Sequence, residues 1–148
     1  MRAVVQRVSR AKVTVGASVC GRIGRGYLVL LGIEENDTES DLAYICDKLV
    51  GLRVFEDEAG KMNLAIADVG GSILLVSQFT LYGDARKGRR PGFIRAARPE
   101  KAIPLYEEAI QRLRQSVPVA HGEFGADMQV ELVNDGPVTI LLDSERNF

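Results

Sequence analysis

The chain reads as an α+β protein: a largely antiparallel sheet, curled or closed into a barrel-like form, with two main helices in a single domain spanning residues 1–148. Three observations predict this. Short runs rich in Val, Ile and Leu recur along the chain, only two stretches carry a helical period, and many connections are as short as hairpins. No internal repeat, low-complexity stretch or linker interrupts the order.

Ala3-Val4-Val5-Gln6-Arg7-Val8 and Ala11-Lys12-Val13-Thr14-Val15 are β-branched runs, the second alternating apolar and polar. Ser18–Ile23 follows between Gly16 and Gly24, both placed as turn residues. Tyr27–Ile33 is continuously apolar, as suits a strand buried on both faces. The period then changes. Leu42, Ile45, Leu49 and Leu52 form one helical stripe, with Asp37 or Thr38 able to cap its start and Gly51 near its end. Arg53-Val54-Phe55 reads as a short strand and Glu56–Lys61 as an acidic turn. Ser72–Tyr82 is the strongest strand in the chain. A loop rich in Arg, Gly and Pro fills positions 83–99. Ile103, Tyr106, Ile110, Leu113 and Val117 mark a second helix, and two last strands, Met128–Val133 and Val138–Leu142, flank a turn at Asn134-Asp135-Gly136-Pro137.

Composition narrows the function. The chain has 148 residues with 19 Lys and Arg against 20 Asp and Glu, 46% hydrophobic and 26% charged residues, as in an ordinary globular domain. No apolar stretch approaches the ~20 residues of a membrane helix, and Arg7 interrupts what would be the apolar core of a signal peptide. The expectation is a cytoplasmic protein without membrane attachment. Cys20 and Cys46 lie in no metal-binding spacing, and with His121 as the one histidine a Cys/His zinc site is nearly excluded. No metal and no cofactor are expected. Any Ser–His or Cys–His nucleophile would rest on that single imidazole, which lies in a loop context and reads as a surface or structural residue. Both cysteines read as packing residues. The acidic run Glu56-Asp57-Glu58 reads as a solvated turn. Gly24-Arg25-Gly26 has no following helix to make it a phosphate loop.

Three segments carry candidate chemistry. The apolar strand at 72–76 ends in Ser77-Gln78-Phe79-Thr80, where alternation sends Ser77 and Phe79 to one face and Gln78 and Thr80 to the other. Either the strand emerges into water there, or a polar cluster sits at its end as in many ligand sites. Asn134-Asp135-Gly136-Pro137 reads, on residues alone, as a plain trans turn, the alternative being a rigid Gly-Pro presenting backbone carbonyls to a ligand. Arg86, Lys87, Arg89, Arg90, Arg95 and Arg98 are six cations with no acid between Asp84 and Glu100, in a chain otherwise rich in acids. They make either a solvated basic loop or a contact for a polyanion.

Taken together, the opening Met1–Val8, Ser77-Gln78-Phe79-Thr80-Leu81-Tyr82, Arg86-Lys87-Gly88-Arg89-Arg90-Pro91 and Asn134-Asp135-Gly136-Pro137-Val138-Thr139 resemble the D-aminoacyl-tRNA deacylase family, in order and across nearly the whole chain. Phe55-Glu56-Asp57 with Gly60-Lys61-Met62-Asn63 also fits. The resemblance implies a homodimer of barrel-like subunits that hydrolyses the ester between a D-amino acid, or glycine, and the tRNA 3′ end as a proofreading step in translation. It makes Gly136 and Pro137 a Gly-cisPro pair inserted into the partner's pocket, where it rejects L-amino acids. It makes Ser77, Gln78, Phe79 and Thr80 the pocket lining, with Thr80 as a nucleophile or, in the favoured view, the substrate's own 2′-hydroxyl activating the water. Arg86, Lys87, Arg89 and Arg90 become the tRNA-binding loop. An aminoacyl ester is already activated, so positioning and oxyanion-type hydrogen bonding suffice without a strong base. The chain departs from the family pattern at Ala85, Gly92 and Ala96-Ala97-Arg98-Pro99, which bears on tRNA preference rather than on chemistry. The other readings are a related deacylase that removes L-Ala from a mischarged tRNA, a non-catalytic RNA-binding module built on the 86–98 loop, and an assembly subunit with no affinity for tRNA.

Overall fold

Residues 1–148 are described by a computed structural model. Its sheet is organised on one long strand, β1 (Arg2–Val15), with β2 (Ser18–Ile23) and β3 (Gly26–Gly32) following it. Beyond them come α1 (Glu39–Gly51), the small ribbon β4 (Phe55–Glu56) and β5 (Met62–Leu64), β6 (Ser72–Ser77), α2 (Pro99–Arg114), β7 (Val119–His121) and β8 (Gln129–Asp143). One edge of β1 pairs antiparallel with β8, from Arg2 opposite Asp143 to Thr14 opposite Gln129. Its other edge is shared: β3 takes residues 2–8 and β2 takes residues 11–15.

The sheet is mixed rather than uniformly antiparallel. β6 runs parallel to β3 and β7 parallel to β6, because each of those connections returns through a helix instead of a hairpin. The sheet curls until β7 reaches β2. Gly21 permits that approach, since a Cβ there would stand 3.0 Å from the His121 carbonyl oxygen. The form is a nearly closed barrel with two helices, as the sequence predicts.

Alternation on β3 and β6 divides the core. Tyr27, Val29, Leu31, Ile73 and Leu75 meet Leu42, Ile45 and Leu49 of α1 and Tyr106, Ile110 and Leu113 of α2. Leu28, Leu74 and Val76 turn the other way, onto Val8, Val13 and Ile23 inside the curl. That is why the 27–33 run is apolar throughout: both faces are covered. Each buried Leu or Ile contributes roughly 1.5–3 kcal/mol to this packing. Thr38 caps α1, and its amide donates to the Asp41 carboxylate at 2.7 Å.

Several elements differ from the sequence reading. The runs at 3–8 and 11–15 are one strand, because β8 binds both. The last two predicted strands are likewise one, so Asn134–Pro137 is a kink within β8 and not a hairpin turn. β6 stops at Ser77, and Phe79–Tyr82 is a 3-10 turn. His121 lies on β7 instead of in a loop, β5 lacks any clear periodic signal, and Cys20 is exposed on β2 while Cys46 is buried in α1. Burial pushes the Cys46 thiol up to about 11. No helix is long and apolar enough to cross a membrane.

Candidate active site

The strand β6 ends because its partner ends. Ser77 faces Leu31 in the last pair with β3, and the Gln78 amide still donates to the Leu31 carbonyl at 2.8 Å. Beyond that point the backbone satisfies itself locally, Leu81 N–H donating to Gln78 O at 3.2 Å and Gly83 N–H to Thr80 O at 2.9 Å. Gly32 makes room for the turn, since a Cβ there would meet the Leu81 Cβ at 3.0 Å and the Gln78 carbonyl at 3.1 Å. Gln78 and Thr80, which alternation also assigns to one face, stay together in the turn, the Gln78 Nε2 donating to Thr80 Oγ1. Phe79 stands 55% exposed, edge-on to Phe93 with ring centres 5.2 Å apart.

Behind this turn lies a cavity of about 290 Å³. Leu31 and Val76 reach it from the sheet and Ala97 and Ala102 from the start of α2, with Ser77, Gln78 and Phe79 at its rim. Most of its remaining wall is the segment 124–128, of which the sequence reading places only Met128, at the start of a strand. That segment is held firmly. Gly122 N–H donates to Leu75 O at 2.9 Å, and Phe124 packs on Tyr106, whose hydroxyl donates to the same Leu75 carbonyl at 2.9 Å. Met128 packs over Gly122, its sulfur 2.6 Å from where a Cβ would stand, so a side chain there would displace the methionine. The cavity is therefore largely apolar with a few polar groups at its rim, the usual make-up of a small-molecule site.

Gly136 and Pro137 are elsewhere. Along the pairing registers, Ser77 shares a row with Leu31, Ala3 and Leu142, and Gly136 stands six residues back along β8, about 20 Å. The pair is exposed, and the Gly136–Pro137 peptide is cis, not the trans turn read from the residues alone. The segment is braced from below. Gln6 Oε1 accepts from Asn134 Nδ2 at 2.9 Å and Thr139 Oγ1 at 2.6 Å. Buried Arg7 donates from Nη1 to Val54 O at 2.7 Å and from Nε to Asp135 O at 3.1 Å. Gly136 has φ +125°, and the Arg7 Nη2 lies 3.0 Å from where a Cβ would stand. Only glycine fits there.

The basic loop leaves the 3-10 turn and is pinched at its base by two bonds between Asp84 and Gly92, at 2.7 and 2.9 Å. Its cations fall into two groups. Arg86 grips Asp84 through Nε and Nη2 at 2.9 and 2.7 Å, which holds the Asp84 carboxyl well below the usual carboxylate range. Arg95 is tied to Glu34 at 2.6 Å, which raises its guanidinium above the ordinary range. Lys87, Arg89, Arg90 and Arg98 have no carboxylate within ion-pair distance. Arg86, Lys87, Arg90 and Arg95 border a cleft of about 650 Å³ beside the exposed Ile94.

A family model described as D-Tyr-tRNA(Tyr) deacylase matches residues 4–143. The chain belongs to that family. Among its curated relatives, a D-aminoacyl-tRNA deacylase of Symbiobacterium thermophilum is 62% identical over all of this chain and 99% of its own length. One from Anaeromyxobacter dehalogenans is 64% identical over the full length of both. A solved structure described as c-Myc DNA Unwinding Element Binding Protein superposes with a TM-score of 0.91 at 47% identity, covering 97% of this chain and 98% of that one. A structure of a probable eukaryotic D-amino acid tRNA deacylase has the same fold, with a TM-score of 0.83 at 18% identity, over 95% of this chain and 97% of its own.

For this member of the deacylase family, the predicted residues separate into three places. Ser77, Gln78 and Phe79 line one cavity, and Thr80, outside its lining, is joined to them by the hydrogen bond with Gln78. Arg86, Lys87, Arg89 and Arg90 lie on the adjoining loop, joined to the cavity by the Phe79–Phe93 contact. Gly136 and Pro137 stand on the far strand of the same subunit. The missed wall, residues 124–127, has no period of its own. Its one sequence signal is a pair of glycines, Gly122 and Gly125, just ahead of a strand. No group of three or more His, Cys, Asp or Glu side chains is placed to hold a metal ion.

Proposed function

We propose that the protein hydrolyses the ester linking a D-amino acid, or glycine, to the 3′ end of tRNA, and that two copies of the chain build each site. The observation that carries this reading is the polar turn Ser77–Thr80 at the rim of a preformed cavity, in a chain belonging to a tRNA deacylase family. The terminal adenosine and its ester enter at that rim. Water attacks the ester carbonyl, the oxyanion is held by nearby donors, and collapse releases the amino acid and the ribose hydroxyl. The amides of Phe79 and Thr80 open the 3-10 turn and so have no acceptor within it. They are the natural donors to that oxyanion. The substrate's 2′-hydroxyl assists the water, and Thr80, already engaged by Gln78, orients the group and is not the nucleophile.

Gly136 and Pro137 of the second copy close the pocket and exclude an L side chain, which leaves D side chains facing outward and glycine accepted. Their exposure, their bracing by Gln6 and Arg7 and their distance from their own cavity favour action on a partner. Exposed Leu132 and Val133 lie beside them on β8, next to a groove of about 650 Å³ bordered by Arg10, Lys12 and Arg22, a seat for that second copy. The basic loop takes the tRNA backbone, mainly through its unpaired cations Lys87, Arg89 and Arg90.

The test is hydrolysis of matched D-Tyr-tRNA and L-Tyr-tRNA by purified, chelator-treated protein. Rapid loss of the D ester alone is expected. Cleavage of neither, followed by cleavage of L-Ala on a mischarged tRNA, would move the activity to the related editing reaction. Tight tRNA binding with no cleavage of any ester would leave an RNA-binding module.

A further inference from the structure

The most exposed large apolar side chain of the molecule lies on the basic loop. Ile94 is 98% exposed. It stands second in a turn closed by Ala96 N–H donating to Phe93 O at 3.1 Å, and both flanks of that turn are tied down. Gly92 exchanges two hydrogen bonds with Asp84, the Arg95 carbonyl accepts from Glu35 N–H at 3.0 Å, and Ala97 N–H donates to Ile33 O at 2.9 Å. The Arg95 side chain is fixed as well, held by the buried Glu34 at 2.6 Å and lying over the Tyr82 ring. The turn holds Ile94 out in water, and the tied flanks keep it there. Arg86, Lys87, Arg90 and Arg95 share the cleft of about 650 Å³ that Ile94 borders. Carboxylates engage Arg86 and Arg95, whereas Lys87 and Arg90 are unpaired. On its other side Ile94 adjoins Phe93, which meets Phe79 at the rim of the cavity behind β6.

A surface that met only phosphates would need cations and no apolar group. An apolar side chain set among free cations, beside aromatic rings, fits a single strand: unstacked bases cover the apolar face while the backbone follows the charge. A duplex keeps its bases stacked and offers no such face. The end of a tRNA supplies the single strand, since the nucleotides just before its terminal adenosine are unpaired. We infer that this cleft binds those nucleotides, Ile94 taking the face of a base and Lys87 and Arg90 the phosphates beside it. This placement rests on the deacylase reading of the neighbouring cavity and extends it outward, from the terminal adenosine to the strand that leads there. Gripping that strand on a pinned turn sets how far the terminal ester reaches into the cavity. It also assigns the loop to the unpaired end of the tRNA instead of its base-paired stem.

The experiment measures Kd for three non-hydrolysable ligands that carry D-tyrosine in amide linkage at the 3′ position: adenosine, the trinucleotide C-C-A, and that trinucleotide with both cytosine bases removed. The wild-type protein binds the trinucleotide about tenfold or more tighter than adenosine, and removal of the bases costs part of that gain. Ile94→Ser weakens the trinucleotide about fivefold, the size of one lost base contact, and leaves adenosine, the abasic ligand and the salt dependence unaffected. Ile94→Leu, which keeps the apolar face, recovers most of the affinity. Lys87→Gln with Arg90→Gln weakens the trinucleotide and the abasic ligand alike, and flattens the salt dependence by about 0.7 for each phosphate released. Wild-type trinucleotide binding by Ile94→Ser overturns the placement. So does an equal loss on adenosine alone, or a gain that appears only when a base-paired stem is added. Dissociation of copies of the chain in Ile94→Ser, read by sedimentation without RNA, would also overturn it and give the side chain to a contact between copies. Because Kd is read without cleavage, the two readings fail separately. An Ile94-dependent gain in a protein that cleaves no D-Tyr-tRNA contradicts the deacylase reading alone. Cleavage of D-Tyr-tRNA with trinucleotide binding indifferent to Ile94 contradicts the cleft placement alone.

Discussion

Two interruptions of regular strand structure carry the proposed chemistry, and they are built in opposite ways. At Ser77 the strand β6 leaves its sheet, and the next residues fold into a turn whose side chains face solvent and a cavity. At Asn134–Pro137 the strand β8 kinks but continues, and Gln6, Arg7 and Asn134 tie the kink to β1 and to the chain at Val54. The first leaves its side chains free to meet a ligand. The second commits its side chains to its own chain and exposes little except the Gly-Pro backbone and ring. Side-chain chemistry belongs to the first region, and shape belongs to the second.

Substitution at the rigid region has the largest expected effect. Gly136→Ala places a Cβ 2.8 Å from the Val138 Cγ2 and 3.0 Å from the Arg7 guanidinium, on a backbone at φ +125° that alanine strains to adopt. Strain of this kind costs about 1–3 kcal/mol. The displaced segment lowers D-ester hydrolysis on the order of 10²-fold, as misplacement by about 1 Å does elsewhere. Thermal melting and single-turnover rates, measured together, separate the two effects. Wild-type rates from this variant would mean that the segment's shape plays no part.

The basic loop sharpens the comparison by an intermediate effect. Lys87→Glu and Arg90→Glu weaken tRNA binding several-fold at low salt and flatten the salt dependence by about 0.7–0.9 for each phosphate no longer neutralised. Arg86→Gln leaves that slope nearly unchanged, since the Arg86 charge is already taken by Asp84. Equal slopes for Arg86 and Arg90 variants would contradict the division into paired and unpaired cations. The smallest effect falls at Thr80. Thr80→Ala keeps hydrolysis within about tenfold if the substrate's 2′-hydroxyl assists water, whereas loss of a true nucleophile costs on the order of 10⁴-fold or more.

The two regions also differ in how legible they are in the sequence. Ser77–Thr80 stand out as a group, and strand alternation already puts Gln78 and Thr80 on one face; what it misses is that the strand stops at Ser77 instead of running on to Tyr82. Nothing local says that β3 runs out at Gly32, and it is that end of pairing which forces the turn. Asn134–Pro137 looks like a hairpin turn from its residue types, because Asn, Asp, Gly and Pro favour turns whatever follows them. That one strand passes through it is decided by β1, more than a hundred residues away, which pairs on both sides of the kink. The parallel pairs β3–β6 and β6–β7 are hidden for the same reason, since period and turn chemistry report on neighbours in sequence. Where structure is local, as in the two helices and the Thr38 cap, the expectation and the fold agree.

The central claim is that a cavity on one copy is completed by the Gly136–Pro137 segment of another. It is tested most directly by mixing two impaired variants, Gly136→Ala and the pocket double variant Gln78→Ala/Phe79→Ala, after unfolding and refolding them together. Random pairing makes half of the dimers mixed, each with one intact pocket facing one intact segment. The account predicts recovery of D-Tyr-tRNA hydrolysis to about a quarter of the wild-type rate. Mixed dimers verified by mass that remain as inactive as either parent would contradict it, and would return each site to a single copy of the chain.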